Sequence, residues 1–175
     1  MGIHLDEKDK TRAFEALVLP HLDAAYNLAR WLTRNDQNAE DLVQVAYLRA
    51  FKFFDGFRGT DARAWLLTIL RNAYFTSLRD NRHEDTDVSF DDDLHGQGME
   101  QSDASFYDIG NSPENVMVAH DTKRLVNQAL ESLPQTFREV IVLKEINDLS
   151  YKEIAEITDI PLGTVMSRLD RKSVV

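Results

Sequence analysis

The sequence contains no cysteine. A disulfide framework, a thiolate metal site and a cysteine nucleophile are therefore excluded, and the chain suits a reducing cytoplasm. Long apolar runs are missing too: no stretch approaches the roughly 20 residues that span a bilayer as a helix. Residues 1–12 carry charges of both signs, and no signal-cleavage pattern follows them. The expectation is a cytoplasmic protein with no direct membrane insertion. No internal repeat or low-complexity tract is visible. One segment, residues 83–114, has no Lys or Arg.

That segment explains the charge of the whole chain. Thirty Asp and Glu against twenty Lys and Arg give a formal net charge of −10 over 175 residues. Residues 1–82 hold 12 basic and 11 acidic side chains, and residues 115–175 hold 8 and 9. The remaining 10 acidic residues all fall within 83–114. This stretch is rich in Asp, Ser and Gly and shows no sustained hydrophobic period. It offers too little apolar surface to offset chain entropy and reads as a flexible or extended linker. Two nearly neutral blocks flank it, and 43% hydrophobic residues suffice for two small domains.

Residues 10–82 read as helices. Phe14, Leu17 and Val18 open an apolar stripe, and Pro20 interrupts it or starts a new helix in its first turn. Leu22, Ala25, Tyr26, Ala29 and Leu32 recur at helical spacing. Asn35-Asp36 supplies a break and a cap. In AEDLVQVAYLRAFKFFDGF the spacing puts Leu42, Val45, Ala46 and Phe53 on one side and Asp41, Gln44 and Leu48 on another. Asp55-Gly56 and Gly59 mark a loop. A third helix is predicted from about Ala62 to Arg79, with Leu66, Ile69, Leu70 and Ala73 as its buried side.

The opposite side of that helix carries Thr68, Arg71, Asn72, Phe75, Arg79 and Arg82. From Phe57 to Arg82 there are five Arg and two Asp, interleaved with Phe57, Trp65, Tyr74 and Phe75. Arginine neutralises phosphate, and stacking an unpaired base on an aromatic ring is worth about 1–3 kcal/mol. The composition suits a surface that handles single-stranded nucleic acid. An ordinary amphipathic helix with Trp65 and Tyr74 in the core accounts for the same pattern.

In the second block, Val118, Leu125, Val126, Ala129, Leu130 and Leu133 predict a helix that stops before Pro134, and Phe137, Val140, Ile141 and Leu143 predict another. LSYKEIAEITDIPLGTVMSRLDR then fits a helix-turn-helix. Ser150 is a cap with Glu153 as its capping-box partner. Ile154, Ile157, Val165 and Leu169 point inward, and Asp159-Ile160-Pro161 makes the turn, with Ile160 plugging the core. Thr164, Ser167, Arg168, Arg171 and Lys172 stay outside, where short hydroxyls and arginines suit major-groove edges and phosphates. A helical hairpin used for protein contact is the alternative.

The order of these features resembles the extracytoplasmic-function (ECF) sigma factors, the smallest group of the bacterial sigma-70 family. The resemblance covers residues 10–82 and 115–172. AEDLVQVAYLRAF is similar to region 2.2, and FRGTDARAWLLTILRNAYFTSLR to regions 2.3 and 2.4. ALESLPQTFREVIVLKEINDLSYKEIAEI is similar to region 4.1 and the first helix of region 4.2, and IPLGTVMSRLDR to the recognition helix. The resemblance implies an all-α fold: a sigma region 2 bundle over 1–85, an acidic linker over 86–114, and a region 4 helix-turn-helix over 115–175.

It also implies roles. Asp41, Gln44 and Leu48 match positions that contact the clamp coiled coil of core RNA polymerase, while region 4 meets the flap. Phe57, Arg58, Thr60 and Asp61, with Trp65, match the segment that captures an unstacked base of the −10 element. Arg71, Asn72, Phe75, Thr76 and Arg79 match the face that holds the −10 strand. Thr164, Ser167, Arg168, Arg171 and Lys172 match the helix that reads the −35 element. The implied partners are core RNA polymerase, promoter DNA and an anti-sigma factor. The implied protein is no enzyme and uses no cofactor.

Three features depart from the family pattern. Val45 stands where an acidic residue is usual, Asp170 lies between Arg168 and Arg171, and the chain reads RKSVV where a longer basic helix is usual. Two other classes share parts of the pattern: a sigma-like decoy that sequesters an anti-sigma factor, and a conventional dimeric helix-turn-helix regulator. A metal site on His83, Asp91, Asp93 and His95 lacks ligand spacing such as HExxH, and a solvated charge run is expected there. The linker itself reads either as a solubilising spacer or as a mimic of nucleic-acid charge inside the polymerase. The mimic predicts that replacing Asp91, Asp92 and Asp93 by Asn alters abortive synthesis or promoter escape more than duplex binding. Unchanged abortive-product ladders contradict it.

Overall fold

The computed structural model describes residues 6–84 and 113–170. Asp91, Asp93 and His95, almost all of the expected linker, and Arg171 and Lys172 lie outside the described residues. Among the described residues there is no strand. The first block comprises α1 (Glu7–Leu17), α2 (Leu22–Thr33), α3 (Asp36–Phe53) and α4 (Ala62–Glu84), with 3-10 turns at Leu19–His21 and Phe54–Gly56. The second comprises α5 (Pro113–Ser132), α6 (Gln135–Ile141), a π-helical turn (Val142–Ile146), α7 (Tyr151–Thr158) and α8 (Leu162–Asp170).

Local chemistry sets the helix ends. Pro20 sits in the first turn of its 3-10 segment, where its missing N–H costs nothing. Arg34 adopts a left-handed conformation (φ 56°) that stops α2, and its N–H donates to the Arg30 carbonyl at 2.9 Å. Asn35 is extended and accepts the Asn38 N–H at 2.9 Å, so α3 begins one residue later. An ion pair between Arg30 and Asp36 braces this corner. Asp61 caps α4, its carboxylate accepting the Ala64 N–H at 3.0 Å.

Small residues then let the helices approach closely. Ala25, Ala29, Ala46 and Ala50 are fully buried, and Leu28, Leu66, Leu67 and Leu70 fill the space between α2, α3 and α4. Phe14 anchors α1, meeting Phe51 and Phe54 edge-on at 5.2 and 5.4 Å. Tyr47 donates to the Val18 carbonyl at 3.2 Å, and burial, with the nearby Asp23 charge, pushes its hydroxyl up to about 12.

The expected apolar stripes are partly re-registered. On α3, Val45 (40% exposed) and Phe53 (59% exposed) face solvent, while Val43 and Phe54 are buried with Leu42 and Ala46. In a run as apolar as LVQVAYLRAFKFF, helical periodicity allows two overlapping stripes, and packing against α2 and α4 selects one. Leu17 and Leu22 likewise face outward, and Leu28 takes a core place. On α5, Leu130 is buried and Leu133 packs on the core, but Leu125 and Val126 are exposed.

The second block is locked by side-chain capping. The Arg138 guanidinium, 6% exposed, donates to the carbonyls of Leu130 (2.8 Å), Glu131 (3.0 Å) and Leu133 (2.8 Å). It thereby satisfies the free carbonyls at the end of α5 and fastens α6 to it. Ser150 and Glu153 form the expected reciprocal capping box on α7. Ile154, Ile157, Val165 and Leu169 are buried between α7 and α8, and Ile160 packs on that core from the turn. The two blocks are docked: α2 and α4 pack on α6, the π turn and α7, and one apolar cluster runs through both. Ser150→Ala removes half of the capping box and is expected to lower stability by about 1 kcal/mol. Urea denaturation followed by circular dichroism checks this.

Candidate nucleic-acid interface

Three surfaces carry the predicted site residues. The first lies on α3, where Asp41, Gln44 and Leu48 share one exposed stripe. Asp41 accepts from the Gln37 amide at 3.3 Å. Leu48 is 72% exposed, and Val45 and Phe53 extend the apolar area around it.

The second surface is the loop 57–61 and the outer face of α4. Phe57 lies over Trp65 with ring centroids 4.8 Å apart, and both rings are half-buried against the core. Phe57, Arg58, Thr60, Asp61, Trp65 and Thr68 line an open pocket of about 450 Å³, which Glu156 of α7 also borders. Gly59 makes this shape possible, since a Cβ there would stand 3.1 Å from the Phe57 ring. Arg58 is exposed but folds back, donating to the Asp55 carbonyl at 2.8 Å. Further along α4, Asn72, Arg79 and Arg82 are exposed. Thr76 donates to the Asn72 carbonyl at 2.8 Å. Tyr74 is half-buried, and burial raises its pKa. The Arg71 guanidinium lies 4.6 Å above the Phe75 ring.

Region by region, the second block covers part of this face. Arg71 Nε donates to Glu139 of α6, and its second nitrogen reaches the other carboxylate oxygen at 3.4 Å. Arg63 donates to the Asn147 carbonyl at 3.1 Å and approaches Glu153 at 3.8 Å. The Asn147 amide donates to the Ala24 carbonyl at 3.3 Å and accepts from Asn27 at 3.5 Å. The π turn aims this side chain, with the Asn147 N–H returning five residues to Val142 at 3.1 Å. The Asp61 carboxyl is held below the usual carboxylate range by its hydrogen bond with Glu153, aided by the Ala64 amide and Arg63.

The third surface is α8. Ser167 is exposed, Thr164 and Arg168 are half-buried, and Asp170 faces solvent beside them. Leu162 and Met166 are also exposed on this helix.

Sequence reasoning did not find Glu139, Asn147 or the contact made by Glu153. One signal existed: Glu139 stands inside the apolar run FREVIVL, and an acid in such a run needs a partner once buried. Nothing local names Arg71 as that partner, 68 residues away.

A four-helix block with an arginine-aromatic face, followed by a helix-turn-helix, is the layout of a sigma factor's regions 2 and 4. The sigma-70 region 2 profile matches residues 17–84, and the sigma-70 region 4 profile matches residues 123–171. The chain is 35% identical over 169 residues to the ECF RNA polymerase sigma-E factor of Escherichia coli K12, covering 94% of this chain and 85% of that one. It is 33% identical over 168 residues to the RNA polymerase sigma-H factor of Pseudomonas aeruginosa, covering 94% and 84%. Among solved structures it is similar to the sigma factor RpoE of Bartonella quintana, crystallised with the anti-sigma factor NepR. That match has a TM-score of 0.68 at 28% identity and covers 91% of each chain. The chain belongs to the sigma-70 family, in its extracytoplasmic-function group.

Because Asp61 is held low, its charge supports the fold above the ordinary carboxylate pKa of 3.8, and that support is lost as pH falls through the lower folded value. Asp61→Asn keeps an acceptor for the Ala64 amide and removes the charge. The stability gap between wild type and variant is expected to be constant near neutrality and to close below about pH 4. Urea midpoints measured across that range check it.

Proposed function

We propose that this chain is an alternative sigma factor that binds core RNA polymerase and directs promoter-specific initiation, under the control of an anti-sigma factor. One observation carries the reading. A single helix, α4, buries Leu66, Leu67 and Leu70 and turns Arg71, Asn72, Phe75, Arg79 and Arg82 to its other face, beside the Phe57–Trp65 pocket. The sigma-70 family consists of non-enzymatic initiation factors, and no helix among the described residues is long and apolar enough to cross a membrane. The cytoplasm is the proposed location.

The division of labour follows the three surfaces. Asp41, Gln44 and Leu48 offer the polymerase clamp a charged and apolar stripe. Extruding a base from duplex DNA costs about a few kcal/mol. Stacking on Phe57 and Trp65 offsets that cost only for a base that fits, so melting and recognition become one event without ATP. Arg71, Arg79 and Arg82 neutralise the phosphates of the opened strand. On α8, Thr164, Ser167 and Arg168 read the −35 duplex, and Arg171 and Lys172, next in the sequence after Asp170, add two positive charges to that reading. Asp170 faces the same groove and lowers its attraction for phosphate. The solved relative bound to NepR supports an anti-sigma factor as the regulatory partner here.

Leu48→Asp places a second charge on the α3 stripe without touching the core. It is expected to abolish capture of core polymerase in a pull-down while leaving the circular dichroism spectrum unchanged. Retention of full core binding contradicts the assignment. Wild-type binding to an anti-sigma factor with none to polymerase favours the decoy reading instead.

A further inference from the structure

The pocket that the proposed function gives to an unpaired base is walled on one side by a segment without regular structure. Residues 57–61 are neither helix nor strand, so the placing of Phe57 and Arg58 depends on how the two ends of the loop are fixed. The far end is the Asp61 cap on α4. The near end is the 3-10 turn Phe54–Gly56, and α1 holds it at two points one helical turn apart. Phe14 meets the Phe54 ring edge-on, and Lys10 donates to the Asp55 carboxylate at 2.9 Å, across 45 residues of sequence. From there the bracing passes into the pocket wall. The Arg58 guanidinium donates to the Asp55 carbonyl at 2.8 Å and to the Phe57 carbonyl at 3.2 Å, and the Phe57 N–H donates to the Phe54 carbonyl at 3.0 Å. We propose that Lys10 is a positioning residue for base capture: through Asp55 it fixes the turn from which Phe57 and Arg58 reach the pocket, and it lines no part of the pocket itself.

The inference rests on the reading of the Phe57–Trp65 pocket as the site of base capture. Two features separate Lys10 from an ordinary surface charge. An exposed lysine spends side-chain entropy to hold a partner, and such pairs contribute little. The Lys10 side chain is only 16% exposed and its ammonium lies 4.9 Å above the Phe51 ring, so its stem is already packed and the pair needs little further ordering. Asp55 lies outside the pocket with its side chain 66% exposed, yet its backbone carbonyl is the one that Arg58 grips. A shift of the turn therefore moves the pocket wall, and misplacing a positioned group by about 1 Å costs up to roughly a hundredfold in rate.

Lys10→Met keeps an apolar stem over Phe51 and removes the ammonium. In a Trp31→Phe background Trp65 is the sole tryptophan, and acrylamide quenching of its fluorescence reports how well Phe57 covers it in the free chain. Lys10→Met is expected to raise the quenching constant about twofold with an unchanged circular dichroism spectrum, and Lys10→Arg to keep the wild-type value. With core RNA polymerase, Lys10→Met is expected to slow initiation from a duplex promoter about tenfold. The same promoter with its −10 element already unpaired by mismatches is expected to initiate at the wild-type rate, because no base has to be extruded there. Exchanging the pair, Lys10→Glu with Asp55→Lys, is expected to restore both readouts that Asp55→Lys alone loses. Unchanged quenching in Lys10→Met overturns the proposal. So does an unchanged duplex rate, or an equal loss on both templates, which a merely destabilised fold produces. Phe57→Ala tests the underlying reading by itself: an unchanged ratio of duplex to pre-opened rates removes base capture from the pocket, whatever Lys10→Met does to the quenching.

Discussion

An arginine on α4 and a glutamate on α6 meet in a contact largely shielded from water, and the register in which the second block docks on the first depends on that meeting. Neither group tolerates such burial alone. A carboxylate 5% exposed is costly unless paired, and Arg71 supplies two nitrogens while Phe75 covers the guanidinium face. A pair of this kind adds little net stability, since desolvation consumes most of the attraction. What it adds is specificity of docking: α6 can sit on α4 in one register only, because any slip leaves a buried charge without its partner. The π turn extends the same constraint by aiming Asn147 at α2.

This geometry gives α4 two jobs on opposite faces. Its leucines close the core of the first block, and its arginines form a polar surface that another polyanion can claim. Charge distribution along the chain fits that division, with two nearly neutral blocks and the acidic excess confined to residues 83–114. A net charge of −10 therefore does not forbid nucleic-acid binding, because the surfaces proposed to meet DNA belong to blocks that carry almost no net charge.

Local features were legible in the sequence. The Ser150–Glu153 capping box, the Asn35 cap, the stop before Pro134 and the inward set Ile154, Ile157, Val165 and Leu169 all follow from residues within a turn or two of one another. The register of α3 was less legible, because Val43 and Val45, or Phe53 and Phe54, are equal in hydrophobicity and only the neighbouring helices distinguish them. Docking between the blocks was not legible at all. Glu139, Asn147 and Arg63 are ordinary polar residues by type, and an acidic segment between two helical blocks gives no sign that the blocks touch. Arg71 was placed on the nucleic-acid face by periodicity, and its second partner lay beyond any local pattern.

The central claim is that α4, its aromatic pocket and α8 together select a promoter. Run-off transcription with core RNA polymerase and this chain, on a library of promoter fragments, tests it most directly. The account predicts transcripts only from fragments sharing one −35 and −10 pair, with start sites at a fixed distance from that pair. Transcripts spread without sequence preference over the library, or no dependence on the added chain, contradict it.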